Sequence, residues 1–238
     1  MSTTDGPDFA ERLAGVRQRI ADAAARSGRT ASDVTLVAVS KFHPAEAVRE
    51  ALACGQFCFG ENYVQEALAK QQSLCDVSPA PHWHFIGHVQ TNKAKDVAGR
   101  FDLIHTVDDI RLAEGLNRRL PETIPVQNVL LQVNLGHEPQ KSGVEDDDLP
   151  RLAEAVMQLP RIRIQGLMGM PPFFDDGEAA RPYFVRLREL RDALETRLGC
   201  ALPVLSMGMS GDFEQAIEEG ATLIRVGTTL FGPRPVRN

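Results

Sequence analysis

The chain has 238 residues, 43% of them hydrophobic and 24% charged, enough for one large packed domain and not the composition of a disordered one. A net charge of -6 with scattered Lys and Arg excludes an extended nucleic-acid surface. No apolar run reaches the ~18 residues of a membrane span and Met1–Pro7 lacks signal-sequence character, so a cytoplasmic protein that engages neither nucleic acid nor membrane is expected.

In chain order, Phe9, Leu13, Val16 and Ile20 share one face of an opening helix that Gly28 closes. This helix precedes the first strand as an extra element that plugs or flanks the fold. Eight β-branched or apolar runs follow, at Val34–Ser40, Phe57–Gly60, Trp83–Ile86, Leu103–Val107, Val126–Val133, Ile162–Met168, Val204–Met207 and Leu223–Val226. Each but the last precedes a helical pattern, and several helices end at a glycine (Gly55, Gly99, Gly199, Gly220), as left-handed caps require. Strands and helices alternating in this way imply parallel strands joined by right-handed crossovers. Such a sheet closes into a barrel or stays open and doubly wound, and eight units favour closure. The expected fold is therefore α/β, a single (β/α)8 TIM-type barrel with an extra N-terminal helix, one domain over residues 1–238. The acidic run Glu145–Asp148 reads as favourable charge at the N-terminus of the helix carrying Leu149, Leu152 and Val156, not as a metal site. Cys54, Cys58, Cys75 and Cys200 lack a paired CxxC spacing and read as reduced thiols.

Lys41 follows the first strand, which sets its amine at the C-terminal mouth, where barrels build their sites. Partial desolvation there lowers an amine pKa and lets it condense with an aldehyde, the bland alternative being a solvated strand-end lysine. The stretch Ser206, Met207, Gly208, Met209, Ser210, Gly211, Asp212 runs from the seventh strand into a helix. Small residues in such a turn let backbone amides and the Ser210 hydroxyl approach a phosphate, although Asp212 can simply cap the helix. Gly227 and Thr228, after the eighth strand, complete a phosphate site of a kind that recurs in barrels. Arg225 stands in an apolar strand, so it faces a polar pocket or pairs with a carboxylate such as Glu61. Asn62 can hydrogen-bond a ligand's ring substituent or cap a helix. His82, His84 and His88 have no carboxylate or cysteine nearby to complete a metal set, so no metal is expected. Asn134 and Lys141 can line the mouth without an assigned role.

The motifs Ala38–Lys41, Phe59–Glu66, Trp83–Gly87 with Gln90–Lys93, Gln132–Asn134, Gly166–Met168, Leu205–Ser210 and Arg225–Thr228 span nearly the whole chain in this order. Together they resemble the pyridoxal phosphate homeostasis protein family, single-barrel relatives of the alanine racemase N-terminal domain. The resemblance implies pyridoxal 5′-phosphate held as a Schiff base on Lys41, its phosphate around Ser210, Gly227 and Thr228, and Arg225 facing the pyridine nitrogen. Asn62, Ser206, Met207 and Gly211 complete the candidate cofactor-binding set, and no catalytic residue is assigned. An arginine at the ring nitrogen makes the ring a weak electron sink, which disfavours carbanion chemistry. The implied role is intracellular homeostasis and supply of the cofactor to PLP-dependent apoenzymes by a monomeric barrel. A PLP-dependent amino-acid racemase is the alternative, but the sequence offers no evident second base, with Tyr63 and Tyr183 its only tyrosines. A Schiff-base aldolase acting on a phosphorylated sugar is a third reading.

Overall fold

Residues 8–138 and 140–233 are described by a computed structural model, beginning with helix α1 (Phe9–Arg26). Asp8 caps α1 by accepting from the Glu11 amide while the Glu11 side chain accepts from Asp8, so both ends of the first turn are satisfied. Its apolar stripe, Phe9, Leu13, Val16 and Ile20, is buried. The chain then alternates β1 (Thr35–Val39), α2 (Ala45–Ala53), β2 (Cys58–Glu61), α3 (Val64–Ser73), β3 (His82–Phe85), α4 (Ala94–Val97), β4 (Leu103–Val107), α5 (Ile110–Arg119), β5 (Gln127–Val133) and α6 (Leu149–Met157). It finishes with β6 (Ile162–Gly169), α7 (Arg181–Leu198), β7 (Val204–Ser206), α8 (Phe213–Glu218), β8 (Leu223–Val226) and α9 (Thr228–Phe231).

All eight strands pair in parallel with their sequence neighbours, and β8 returns to β1 in register from Thr35–Leu223 to Ala38–Val226. The barrel is closed, so the open doubly wound alternative is excluded. Gly55, Gly99, Gly199 and Gly220 all have φ between 65° and 98°, the left-handed caps expected at the helix ends. The extra helix flanks the barrel instead of plugging it, packing on α8 and α9 with Arg19 forked onto Glu214 at 2.9–3.0 Å. No helix among the described residues is long and apolar enough to cross a membrane.

Strand side chains alternate between two environments. Leu36, Ala38, Phe59, Trp83, Ile104, Leu205, Ile224 and Val226 join the large core between strands and helices. Val37, Leu103, Leu130, Met168 and Leu223 form a second cluster that fills the barrel interior. Parity therefore sends Arg225, two residues after Leu223, and Ser206, two after the partly buried Val204 of the same cluster, into the interior as well.

The partly exposed Arg19–Glu214 and Arg26–Glu218 pairs contribute little, so the apolar stripe holds α1 in place. Leu13→Ala is expected to cost about 2–4 kcal/mol in urea unfolding and Arg19→Ala under ~1 kcal/mol. Equal losses for the two variants would show that the ion pairs do the holding.

Candidate functional site

The C-terminal ends of β7, β8, β1 and β2 are contiguous in the closed barrel, so closure alone gathers Ser210, Arg225, Thr228, Lys41 and Asn62 at one end. Lys41 is half-buried in the turn after β1, where the His43 amide donates to the Ser40 carbonyl at 3.1 Å. The residues on either side of it are clamped. The Ser40 hydroxyl donates to Glu61 Oε1 at 2.6 Å, and the Phe42 amide donates to Glu66 Oε1. Lys70 Nζ, reaching in from α3, donates to Glu61 at 2.6 Å, to Glu66 at 2.8 Å and to the Ser40 carbonyl at 2.6 Å. Phe42 has φ 70°, a left-handed conformation that a bulky residue holds only when its surroundings impose it.

Lys70 and Glu61 are buried, so removing one partner would strand a charge at a cost of about 3–5 kcal/mol. Burial pushes the Glu61 carboxyl above the usual range, and Lys70 and Ser40 offset part of that. Glu61 thus belongs to Lys70 and not to Arg225, which corrects the ion pair considered from sequence.

Arg225 instead faces the interior, where Nη1 donates to Ser206 Oγ at 2.6 Å and Nη2 to the Gly169 carbonyl at 3.1 Å. From Ser206 a line of polar groups continues down the barrel. His105 Nδ1 lies 2.9 Å from Ser206 Oγ, His105 Nε2 lies 2.9 Å from His84 Nδ1, and His84 Nε2 lies 3.6 Å from Cys58 Sγ. Burial lowers His84 to about 4 and His105 well below the usual histidine value, so both are neutral near pH 7. Burial likewise lowers Arg225 to about 10, still cationic, with Asp212 opposing the shift.

The turn after β7 depends on Gly208, whose φ is 88° and where a Cβ would sit 2.6 Å from the Ala216 side chain and 2.9 Å from the Phe213 backbone. Asp212 does not cap α8 with its side chain: it turns back and accepts from the Met209 amide at 2.6 Å. The Ser210 and Gly211 amides have no backbone partner among the described residues, nor do the Ser210 and Thr228 hydroxyls have any, and a Cβ on Gly211 would meet open space. Asn62 Oδ1 is buried without a partner among the described residues. The neighbouring backbone needs Gly87, since a Cβ there would lie 2.1 Å from the Asn62 carbonyl oxygen.

Two further expectations change. β7 ends at Ser206, and Met207 lies fully buried in the core outside the barrel with its amide bonded to the Leu223 carbonyl, so it is a packing residue and not part of the mouth. The Ser206 hydroxyl is taken by Arg225 and His105, so its influence on the mouth runs through Arg225. Asn134 bonds Glu138 and Glu145 within its own loop, whereas Lys141, paired with Glu138 at 2.6 Å, lines a pocket with Met209, Gly211 and Asp212, as expected of a residue near the mouth. Of the three histidines near β3, His84 enters the interior and His88 bonds Ser142, and the described residues contain no cluster able to hold a metal. Lys70 and His105 were missed. His105 carried the same signal as Arg225, a polar residue at an inward position of an apolar strand.

The family described as alanine racemase, N-terminal domain, matches residues 13–235. The pyridoxal phosphate homeostasis protein of Aquifex aeolicus is 48% identical over 224 residues, covering 94% of this chain and 97% of the relative. That of Pseudomonas aeruginosa is 50% identical over 226 residues, covering 95% and 96%. The structure of PipY from Synechococcus elongatus with PLP bound is 41% identical with a TM-score of 0.83, covering 94% of this chain and all of that one. Alanine racemase from Corynebacterium glutamicum, 17% identical with a TM-score of 0.69 over 96% of this chain and 62% of its own, shares the fold.

The neutral histidines make stability depend on pH. Their folded pKa values lie below the ~6.5 of an unfolded histidine, so the unfolded chain binds protons first as pH falls. Their contribution is complete above about pH 6.5 and is lost on the way down toward the folded value, by up to ~1.4 kcal/mol per pH unit for each histidine. Urea unfolding at about pH 7 and about pH 5 is expected to show that loss. Unchanged stability would contradict buried neutral imidazoles.

Proposed function

The chain belongs to the pyridoxal phosphate homeostasis protein family, within the alanine racemase N-terminal domain fold, and from that premise we propose that its barrel mouth binds pyridoxal 5′-phosphate through Lys41. Its role is homeostasis and supply of the cofactor, not turnover, in line with relatives that carry the homeostasis name and with PipY, whose structure holds PLP. One observation carries the reading: four contiguous strand ends bring together an amine, a cation and several polar groups that have no partner among the described residues.

The residues present fit the cofactor. Ser210, Gly211, Gly227 and Thr228 offer hydroxyls and amides to a phosphate. Asn62 offers its Nδ2 donor to a ring oxygen, its buried Oδ1 being an acceptor without a partner among the described residues, and Arg225 offers donors to a ring nitrogen. Lys41 offers the primary amine, its turn held by Glu61, Glu66 and Lys70. When bound, the cofactor supplies an aldehyde able to condense with that amine and a ring able to draw electrons. Arg225 opposes protonation of the ring nitrogen and so restrains carbanion chemistry, which disfavours the racemase alternative. Residues 1–238 are read as one monomeric cytoplasmic domain that passes the cofactor to PLP-dependent apoenzymes.

Lys41→Ala is expected to abolish covalent attachment while leaving urea stability within ~1 kcal/mol of the parent. Borohydride reduction of the loaded protein followed by peptide mass spectrometry reads the attachment point, and the pyridoxyl group on Lys93 or Lys141 would overturn the assignment. Ser210→Ala combined with Thr228→Val is expected to weaken pyridoxal phosphate binding by about 2–3 kcal/mol and to leave pyridoxal binding unchanged. If calorimetry gave the same loss for both ligands, these hydroxyls would not be the phosphate site.

A further inference from the structure

We propose that Ser206, His105 and His84 form a one-way hydrogen-bond column that anchors Arg225 and balances its charge with dipoles in place of a carboxylate. They are then positioning residues for the ring-nitrogen end of the cofactor site, and this part of the inference rests on the cofactor reading given above.

The direction of the column follows from donor chemistry. A guanidinium has donors only, so Arg225 Nη1 donates to Ser206 Oγ across their 2.6 Å separation. Ser206 is fully buried, and its own proton has one remaining neighbour among the described residues, His105 Nδ1 at 2.9 Å. Giving that proton to Nδ1 makes His105 an acceptor there, so its single proton sits on Nε2 and is donated to His84 Nδ1 at 2.9 Å. His84 in turn carries its proton on Nε2, which faces Cys58 Sγ. Each link settles the next.

Along this line every acceptor lone pair faces back toward Arg225. The partial negative ends of two imidazoles and one hydroxyl are thus aligned on the guanidinium, and the Gly169 carbonyl adds a fourth. Arg225 makes no ion pair with a carboxylate among the described residues, and Asp212 acts on it through space. A carboxylate in direct contact would cancel the positive charge that faces the ring nitrogen, whereas neutral dipoles fix the side chain and leave the charge in place. The column ends in a pocket at the opposite end of the barrel, lined by Cys58, His84, Asn128, Arg163 and Gln165.

Two measurements test this on the full chain. Isotope-edited NMR of the imidazole nitrogens, on protein without cofactor near neutral pH, is expected to show His105 and His84 both neutral with the proton on Nε2. A proton on Nδ1 of either ring would overturn the column whatever the fate of the cofactor reading. Binding is then compared for pyridoxal phosphate and for an analogue whose ring nitrogen is replaced by carbon. His105→Leu is expected to weaken pyridoxal phosphate about tenfold and to leave the analogue unchanged, and His105→Asn, which keeps an acceptor for Ser206, to restore most of the loss. Ser206→Ala, which breaks the same link with little change of volume, is expected to match His105→Leu if that variant folds poorly. Equal loss for both ligands in Ser206→Ala would show a merely structural role and overturn the proposal. A parent protein that binds neither ligand would count against the cofactor reading and leave the NMR result to decide the column.

Discussion

A guanidinium enclosed by a closed sheet sets the terms for the rest of this site. Arg225 is 4% exposed, and a charge buried without compensation costs several kcal/mol. The strands around it meet that demand from Ser206 on β7 and Gly169 on β6, with His105 on β4 and His84 on β3 behind them. Four strands distant in sequence thus share one polar line inside an otherwise apolar barrel. The same closure that seals Arg225 in sets β8 beside β1, so Gly227 and Thr228 arrive next to the strand that carries Lys41.

The two lysines near the mouth show how environment divides the work between identical side chains. Lys70 is buried between two carboxylates, and its bonds to them and to the Ser40 carbonyl hold a turn. Lys41 lies in the turn that is held, at the end of an apolar strand. Its neighbours Ser40 and Phe42 are tied to Glu61 and Glu66, which restricts the backbone of the turn in advance of any ligand. The left-handed Phe42 is tolerated because those bonds over-determine it.

A barrel of this kind does not by itself assign a function, since alanine racemase and D-threonine aldolase share the fold at under 20% identity. The distinction lies in the relatives at 44–50% identity, which are named pyridoxal phosphate homeostasis proteins.

The eight strands, their order and the glycine caps were legible in the sequence, because β-branched runs, helical periodicity and left-handed caps are local properties. Lys41, Asn62, Ser210, Arg225 and Thr228 could also be singled out, since position at a strand end is itself a sequence feature. What only the tertiary structure decided was partnership. Glu61 meets Lys70 and not Arg225 because it points outward from β2 toward α3, whereas Arg225 points inward. Met207 falls in the core outside the barrel because it follows the inward-facing Ser206, so alternation turns its side chain outward. His84 and His105, 21 residues apart, touch because the closed sheet sets β3 beside β4 and turns both rings to the interior. A linear pattern records which face a residue takes, but the curvature that brings two inward faces into contact belongs to the closed sheet.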